Sequence, residues 1–497
     1  MNTALNAQRR DHELAALGDA TQIDLLVVGG GITGVGVALD AATRGLRTVL
    51  VEKHDLAHGT SRFSSKLVHG GLRYLAGGRI GIAHESAVER GILMRHTAPH
   101  LVRPMPQLVP LVPSLGRPQR ALVRAGFLAG DALRRSANTS PAVLPRSRRV
   151  AAAEALRLAP TVRRDGLSGG LLAWDGQLVD DAALVVAIAR TAAGHGASIL
   201  TRVEARQVTG NSAVLRDVRT GSELAVRARA VINAAGVWAG QVDPSIALRP
   251  SRGTHLVFDT ESFGGLTAAL TVPVPGSTSR FVFALPAPHG RVYLGLTDVD
   301  APGPVPDVAQ ASADEIDFLL DTINTVLREP LSRSDIRGTF AGLRPLLDTG
   351  AGETADLSRN HAVLRSPNGV VTVVGGKLTT YRKMAEDAVD AVAAEFGAGP
   401  CITRKVALVG AVAGAARDAV PAPARLVERY GSEAAELVGD KPVADGIDVS
   451  TAEFAFAVTH EGALTPDDIL DRRTRIGLVA EDRDRALPAA AAAVDGS

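Results

Sequence analysis

The chain has 497 residues, 46% of them hydrophobic, and its 54 Lys and Arg are balanced by 53 Asp and Glu. That length and apolar content can fill two or three domain-sized cores and exclude a single small module, while a net charge of +1 offers no overall basic field for nucleic acid. One cysteine, Cys401, excludes an intramolecular disulfide, a CxxC redox pair, a zinc knuckle and a four-thiolate iron–sulfur cluster, so no metal is expected and the expected compartment is reducing.

The opening stretch carries Arg9, Arg10, Asp11 and Glu13 without an apolar core and does not read as a signal peptide. No apolar run reaches the ~18 residues of a spanning helix, so a soluble or peripherally attached protein is expected. Asp24-Leu25-Leu26-Val27-Val28 reads as a strand that enters Gly29-Gly30-Gly31-Ile32-Thr33-Gly34 and then a helix. A second strand, Thr48-Val49-Leu50-Val51, ends in Glu52. Strand, glycine turn, helix, second strand and terminal acid in this order predict a dinucleotide site. Gly29, Gly31 and Gly34 keep side chains out of the turn, the helix aims its amides and positive end at a pyrophosphate, and Glu52 accepts from ribose hydroxyls. An acid at position 52 repels a 2′-phosphate, which favours FAD or NAD over NADP.

From Arg117 a helix is predicted in which Leu122, Phe127 and Leu128 contrast with Arg120, Arg124, Arg134 and Arg135; Arg146, Arg148 and Arg149 follow a Ser/Pro/Asn-rich loop. Such a segment is either a solvated helix and loop or a helix lying on anionic lipid. Ala230-Val231-Ile232 leads into Asn233-Ala234-Ala235-Gly236, where the small Ala235 and Gly236 let backbone pass close to a cofactor. The run from Gly369 to Val374 ends in Gly375-Gly376-Lys377 and opens a helix from about Thr379, with Met384, Ala388 and Val389 at helical spacing. These three corners stand about 200 and about 140 residues apart. That dispersal suits an extended FAD in a fold with an inserted substrate domain better than a contiguous nicotinamide fold. The Ala-rich tail near Ala489 reads as a frayed terminus.

The stretch His58-Gly59-Thr60-Ser61-Arg62-Phe63-Ser64-Ser65-Lys66-Leu67-Val68-His69-Gly70-Gly71-Leu72-Arg73-Tyr74-Leu75 resembles the signature of FAD-dependent glycerol-3-phosphate dehydrogenases of the respiratory, quinone-linked kind. The resemblance continues through Asp175 and Asp180-Asp181-Ala182, Arg252-Gly253-Thr254-His255, Gly295-Leu296-Thr297-Asp298, Gly342-Leu343-Arg344-Pro345-Leu346 and Gly375-Gly376-Lys377-Leu378-Thr379-Thr380-Tyr381-Arg382-Lys383. Asp467-Asp468-Ile469-Leu470 and Arg472-Arg473-Thr474-Arg475 look like the end of that family's C-terminal helical domain. The resemblance implies noncovalent FAD, which argues against a histidyl link at His58, and puts the arginine matching Arg344 in the active site.

A phosphorylated secondary alcohol needs fixed cations, a proton acceptor and a carbon held over the flavin. Arg344, Arg359 and Lys377 are the expected cations. Lys377 at a helix N-terminus is electrostatically misplaced unless an anion compensates it. His69 and His255 are the two candidate proton acceptors, with the choice between them open. Thr380 is expected to add a hydroxyl contact, and Asp298 to fix a loop. Thr60, Ser61, Ser64 and Ser65 are expected to bind cofactor oxygens.

The fold class expected is α/β: an FAD-binding Rossmann-like domain with an inserted antiparallel-sheet substrate domain, plus a small C-terminal helical domain. The division falls at 397/398, with cofactor segments at about 22–80, 200–240 and 365–395. Substrate-sheet strands are expected around Arg252–Asp259, Phe281–Leu285 and Arg291–Leu296. The resemblance implies oxidation of sn-glycerol 3-phosphate to dihydroxyacetone phosphate with a membrane quinone as acceptor, at the inner face of the cell membrane on the cytoplasmic side, and leaves room for a homodimer. The alternatives are an oxygen-using oxidase of glycerol phosphate or a small amine and, more remotely, a flavin-binding protein without turnover.

Overall fold

The computed structural model describes residues 2–18, 23–71, 79–277, 280–348, 360–439 and 441–496. Arg359 and the Leu72–Leu75 end of the signature lie outside them. Among the described residues, an eight-stranded and a ten-stranded sheet form the body.

In the first sheet Ile23–Val28 lies parallel to Thr48–Glu52 on one side and to Glu223–Asn233 on the other, and Val371–Gly375 runs parallel beyond Glu223–Asn233. Parallel neighbours share a carboxyl end, so three corners far apart in sequence become adjacent strand ends, where ligands of open α/β sheets bind. Ser198–Thr201 extends one edge in parallel and His361–Arg365 closes the other antiparallel. The central strands are continuous apolar runs because both faces are covered. Leu25, Val27 and Leu50 face a core shared with the helices Ile32–Thr43, Asp181–Gly194 and Tyr381–Ala393. Leu26, Val49 and Val231 face a second core with Leu215 and Val226. Each such side chain contributes about 1.5–3 kcal/mol by leaving water. Ile32–Thr43 and Tyr381–Ala393 approach closely at Gly36, where a Cβ would stand 3.0 Å from the Tyr381 ring.

The second sheet is antiparallel apart from one parallel pair, Ala269–Pro273 with Val102–Pro110. That sheet is the antiparallel one expected, and its single parallel pair joins strands from distant segments through a long crossover. The expected strands are present as Ser251–Asp259, Phe281–Ala287 and Arg291–Gly295. Ser251–Asp259 pairs with both Arg291–Gly295 and Gly338–Arg344, setting His255 opposite Gly295 and Phe340 and Arg344 opposite Ser251.

Beyond residue 400 the chain is helical, with a core of its own around Phe454, Ile469, Leu470, Ala486 and Ala490. The alanine tail is not frayed: Ala480–Asp495 is a helix packed on Thr451–Thr459. Ala486 and Ala490, four apart on one face, are fully buried, so tertiary packing orders a segment whose composition alone looked featureless. No described helix is long and apolar enough to cross a membrane.

Candidate active site

The three corners and residues from several strands of the second sheet enclose one cavity of about 1240 Å³, larger than the usual ~300–1,000 Å³ of small-molecule sites. Its lining includes Gly29, Gly31, Glu52, Ala235, Gly236, Gly375 and Gly376 from the first sheet, and His255 and Arg344 from the second.

The glycine turn is built by close approach. Gly29 has φ +114°, and a Cβ there would sit 2.6 Å from the Ala234 carbonyl oxygen, so the first two corners touch. Gly34 lies outside the lining and acts within the turn: its missing Cβ makes room for the Gly29 carbonyl. Glu52 accepts the Gly30 amide at 2.6 Å and the His54 amide at 2.7 Å, one on each oxygen. Burial raises its carboxyl above the usual range and these amides oppose that rise. Glu52 therefore shapes the turn as well as facing the cavity.

The expected hydroxyl set is in place with its bonds already spoken for in part. Ser61 Oγ accepts the Ile32 amide at 2.9 Å, Thr60 Oγ1 donates to the Leu343 carbonyl at 2.6 Å, and Ser64 Oγ donates to Asp181 at 2.8 Å. Ser65 Oγ lies 2.9 Å from His255 Nε2. All four line the cavity, but Thr60 and Ser64 offer a ligand only their lone pairs.

Beneath them lies Lys66, a residue sequence reasoning did not single out. Its buried ammonium donates to the carbonyls of Arg62 and Ser64 and to Asp181 at 3.0 Å, and stands 4.6 Å above the Phe340 ring. Desolvation pulls it down to about 8 against the attraction of Asp181. His255 stacks on the same Phe340 ring at 4.6 Å. Burial first, then the charges of Lys66 and Arg344, hold its imidazole down to about 3, so it is neutral. Its Nδ1 is buried with no hydrogen-bond partner among the described residues.

His69 lines the cavity from a segment fixed by the Gly70 amide, which donates to Asp175 at 3.1 Å; Asp175 in turn accepts from Arg90 at 2.6 Å. A Cβ at Gly70 would overlap the Arg90 guanidinium, so this glycine is what lets the pair close. Arg90 was invisible in the sequence because it comes from the helix Ile80–Ile92.

Arg344 ends its strand and is oriented by three acceptors: Asp298 at 3.2 Å, Ser251 Oγ at 3.2 Å and the Thr297 carbonyl at 3.1 Å. Asp298 also accepts the Ser251 hydroxyl at 2.6 Å. Lys377 lines the cavity just before the turn Leu378–Thr380 and donates to the buried Ser86 hydroxyl at 2.5 Å. Thr380 is not brought to the cavity. Its hydroxyl turns back to the Lys377 carbonyl at 3.3 Å, and Thr379 lines the cavity in its place.

The cavity also reaches the helix Arg117–Ser136 at Leu122, Ala125, Gly126 and Ala129, with Leu122 and Leu128 about half exposed. Several arginines of this segment are engaged within the fold. Arg134 is buried on the Thr139 carbonyl, Arg120 donates to the carbonyls of Leu115 and Val112, Arg124 to Ser147 and Arg148 to Glu154. Arg117, Arg135 and Arg146 are exposed.

Amides at a helix N-terminus, a carboxylate at the neighbouring strand end and a hydroxyl-rich loop form a donor and acceptor set that fits the diphosphate and ribose of FAD. Comparison with known proteins agrees. A family described as FAD dependent oxidoreductase matches residues 24–382, and one described as the C-terminal domain of alpha-glycerophosphate oxidase matches 401–496. Glycerol-3-phosphate dehydrogenase 1 of Mycobacterium tuberculosis is 63% identical, covering 98% of both chains. The glycerol-3-phosphate dehydrogenase of Mycobacterium leprae is 37% identical over 96% of this chain and 84% of its own. The glycerol-3-phosphate dehydrogenase of Bacillus halodurans, solved with FAD, superposes with a TM-score of 0.75 at 28% identity, covering 99% of this chain and 94% of that one.

Proposed function

Since the chain belongs to the FAD-dependent oxidoreductase family, uses FAD, and is a glycerol-3-phosphate dehydrogenase by its full-length relatives, we propose that it oxidises sn-glycerol 3-phosphate to dihydroxyacetone phosphate and passes the electrons to a membrane quinone. The observation that carries this reading is Arg344, aimed by Asp298, Ser251 and Thr297 in the same cavity that the three glycine corners line. When bound, FAD supplies the hydride acceptor.

Arg344 and Lys377 hold the substrate phosphate, with Arg359 as a third cation from outside the described residues. Arg344 is suited to this because its guanidinium is prealigned, so little side-chain entropy is lost on binding. The hydroxyl proton passes to His255 or His69. His255 is a neutral imidazole in contact with Ser65 and pushed down partly by Arg344 and Lys66. A dianionic phosphate beside Arg344 offsets that push, so substrate arrival strengthens His255 as a base. His69 stands on the same cavity wall, held by the Asp175–Arg90 pair through Gly70.

The extension of the cavity to the exposed apolar side chains of Arg117–Ser136 supports a quinone route and a peripheral membrane contact there. A second reading, an oxidase delivering electrons to oxygen, is favoured by the glycerophosphate oxidase relationship of residues 401–496. Anaerobic turnover with a quinone analogue, set against peroxide yield in air, separates the two. Fast quinone reduction with little peroxide supports the dehydrogenase, and stoichiometric peroxide with no quinone reduction overturns it.

A further inference from the structure

The loop from Asp55 to Lys66 presents His58, Gly59, Thr60, Ser61, Ser64 and Ser65 to the cavity. Its opposite side is gripped by the C-terminal segment Asp468–Arg475. Asp55, fully buried, accepts both outer nitrogens of Arg473 at 2.7 and 2.8 Å and Arg472 Nε at 2.7 Å. Arg475 donates to the Arg62 carbonyl at 2.6 Å, the same carbonyl that Lys66 holds at 2.9 Å. Arg472 is shared with Asp468, which also takes Arg202 at 2.7 Å. Among the described residues none beyond Met384 lines the cavity, so this segment acts on the cofactor site indirectly, chiefly through the loop.

We propose that Arg472, Arg473 and Arg475 are positioning residues for the cofactor, and that FAD binding and docking of the C-terminal segment on the Asp55–Lys66 loop are one coupled equilibrium. A carboxylate and two guanidiniums stripped of water are stable only when every charge is matched in good geometry. The ion group therefore selects a single loop conformation, the one in which Ser61 accepts the Ile32 amide at the head of the cofactor-facing helix and Ala57 donates to Gly30 at 3.0 Å. FAD reads that conformation from the other side. By linkage, whatever holds the loop for FAD is held by FAD in return.

The test is amide hydrogen exchange on the full-length protein with and without FAD. Peptides spanning 466–476 are expected to exchange at least several-fold more slowly with FAD, although they do not line its cavity; unchanged exchange there overturns the proposal. A second arm is Arg472→Met, which leaves the two-pronged Asp55–Arg473 contact intact. At least a tenfold rise in the FAD dissociation constant is expected, with kcat and KM for glycerol phosphate unchanged at saturating FAD and partial rescue by Arg472→Lys. An unchanged FAD dissociation constant, or a loss of kcat at saturating FAD, overturns it. Exchange in the unaltered protein decides the matter if the variant does not fold.

Discussion

Replacing Arg344 by Ala removes a cation without dismantling its surroundings. Asp298 keeps the Ser251 hydroxyl at 2.6 Å, so its carboxylate is not stranded, and the glycine corners that line the cavity are untouched. A guanidinium fork making two charge-assisted bonds to a phosphate is worth about 3–6 kcal/mol gross, at about 1.5–3 kcal/mol each. Arg344 already shares its charge with Asp298 and its side chain is 20% exposed, which places it in the lower part of that range. A loss of about 3–4 kcal/mol is about 150- to 900-fold in kcat/KM. Arg344→Lys keeps the charge and loses the fork, for an intermediate loss of about 10- to 30-fold. The assay is steady-state turnover of sn-glycerol 3-phosphate with an artificial acceptor, alongside flavin content from absorbance. Flavin-loaded Arg344→Ala protein with kcat/KM within about twofold of the parent would refute the assignment of the phosphate to Arg344.

Gly34→Ala places a methyl group against the Gly29 carbonyl and should yield protein that purifies largely without flavin; normal flavin content would show that the turn can relax. His100 and His255, both buried and held down to about 3, stay neutral where the unfolded chain's imidazoles, near 6.5, take up a proton. Each therefore costs stability as pH falls from about 6.5 toward 3, by up to about 1.4 kcal/mol per pH unit, and neither adds slope above pH 7. Urea titrations across pH should show that slope, and His100→Phe should remove one group's share of it. Charge reversal at the exposed Arg117, Arg135 and Arg146 should reduce sedimentation with anionic vesicles at low salt; equal sedimentation would clear this helix of membrane contact.

The cofactor half of the site was readable because its chemistry is local. Gly29 to Gly34, Glu52 and the two later corners are runs whose spacing carries their meaning, and parallel pairing then gathers them. What escaped notice is held by contacts between distant positions. Lys66 meets Asp181 across 115 positions, and the His69 segment depends on Asp175 and Arg90. Arg120, Arg124 and Arg134 looked like one charged helix face because periodicity gives a direction but not the carbonyls or hydroxyls waiting there. Thr379 lines the cavity and Thr380 does not because a tight turn, not the helix itself, presents that stretch. The alanine tail was misread for the opposite reason: alanine carries no pattern until a neighbouring helix supplies a surface to bury it.

The proposed function requires that a cavity lined by three glycine corners and Arg344 bring a phosphorylated alcohol to bound flavin. Stopped-flow absorbance of the flavin-loaded enzyme, mixed without oxygen with sn-glycerol 3-phosphate and separately with glycerol, tests it most directly. Rapid saturable bleaching by the phosphate ester, with none by glycerol at the same concentration, is the result predicted. Flavin that stays oxidised with the ester, or bleaches equally with glycerol, contradicts it.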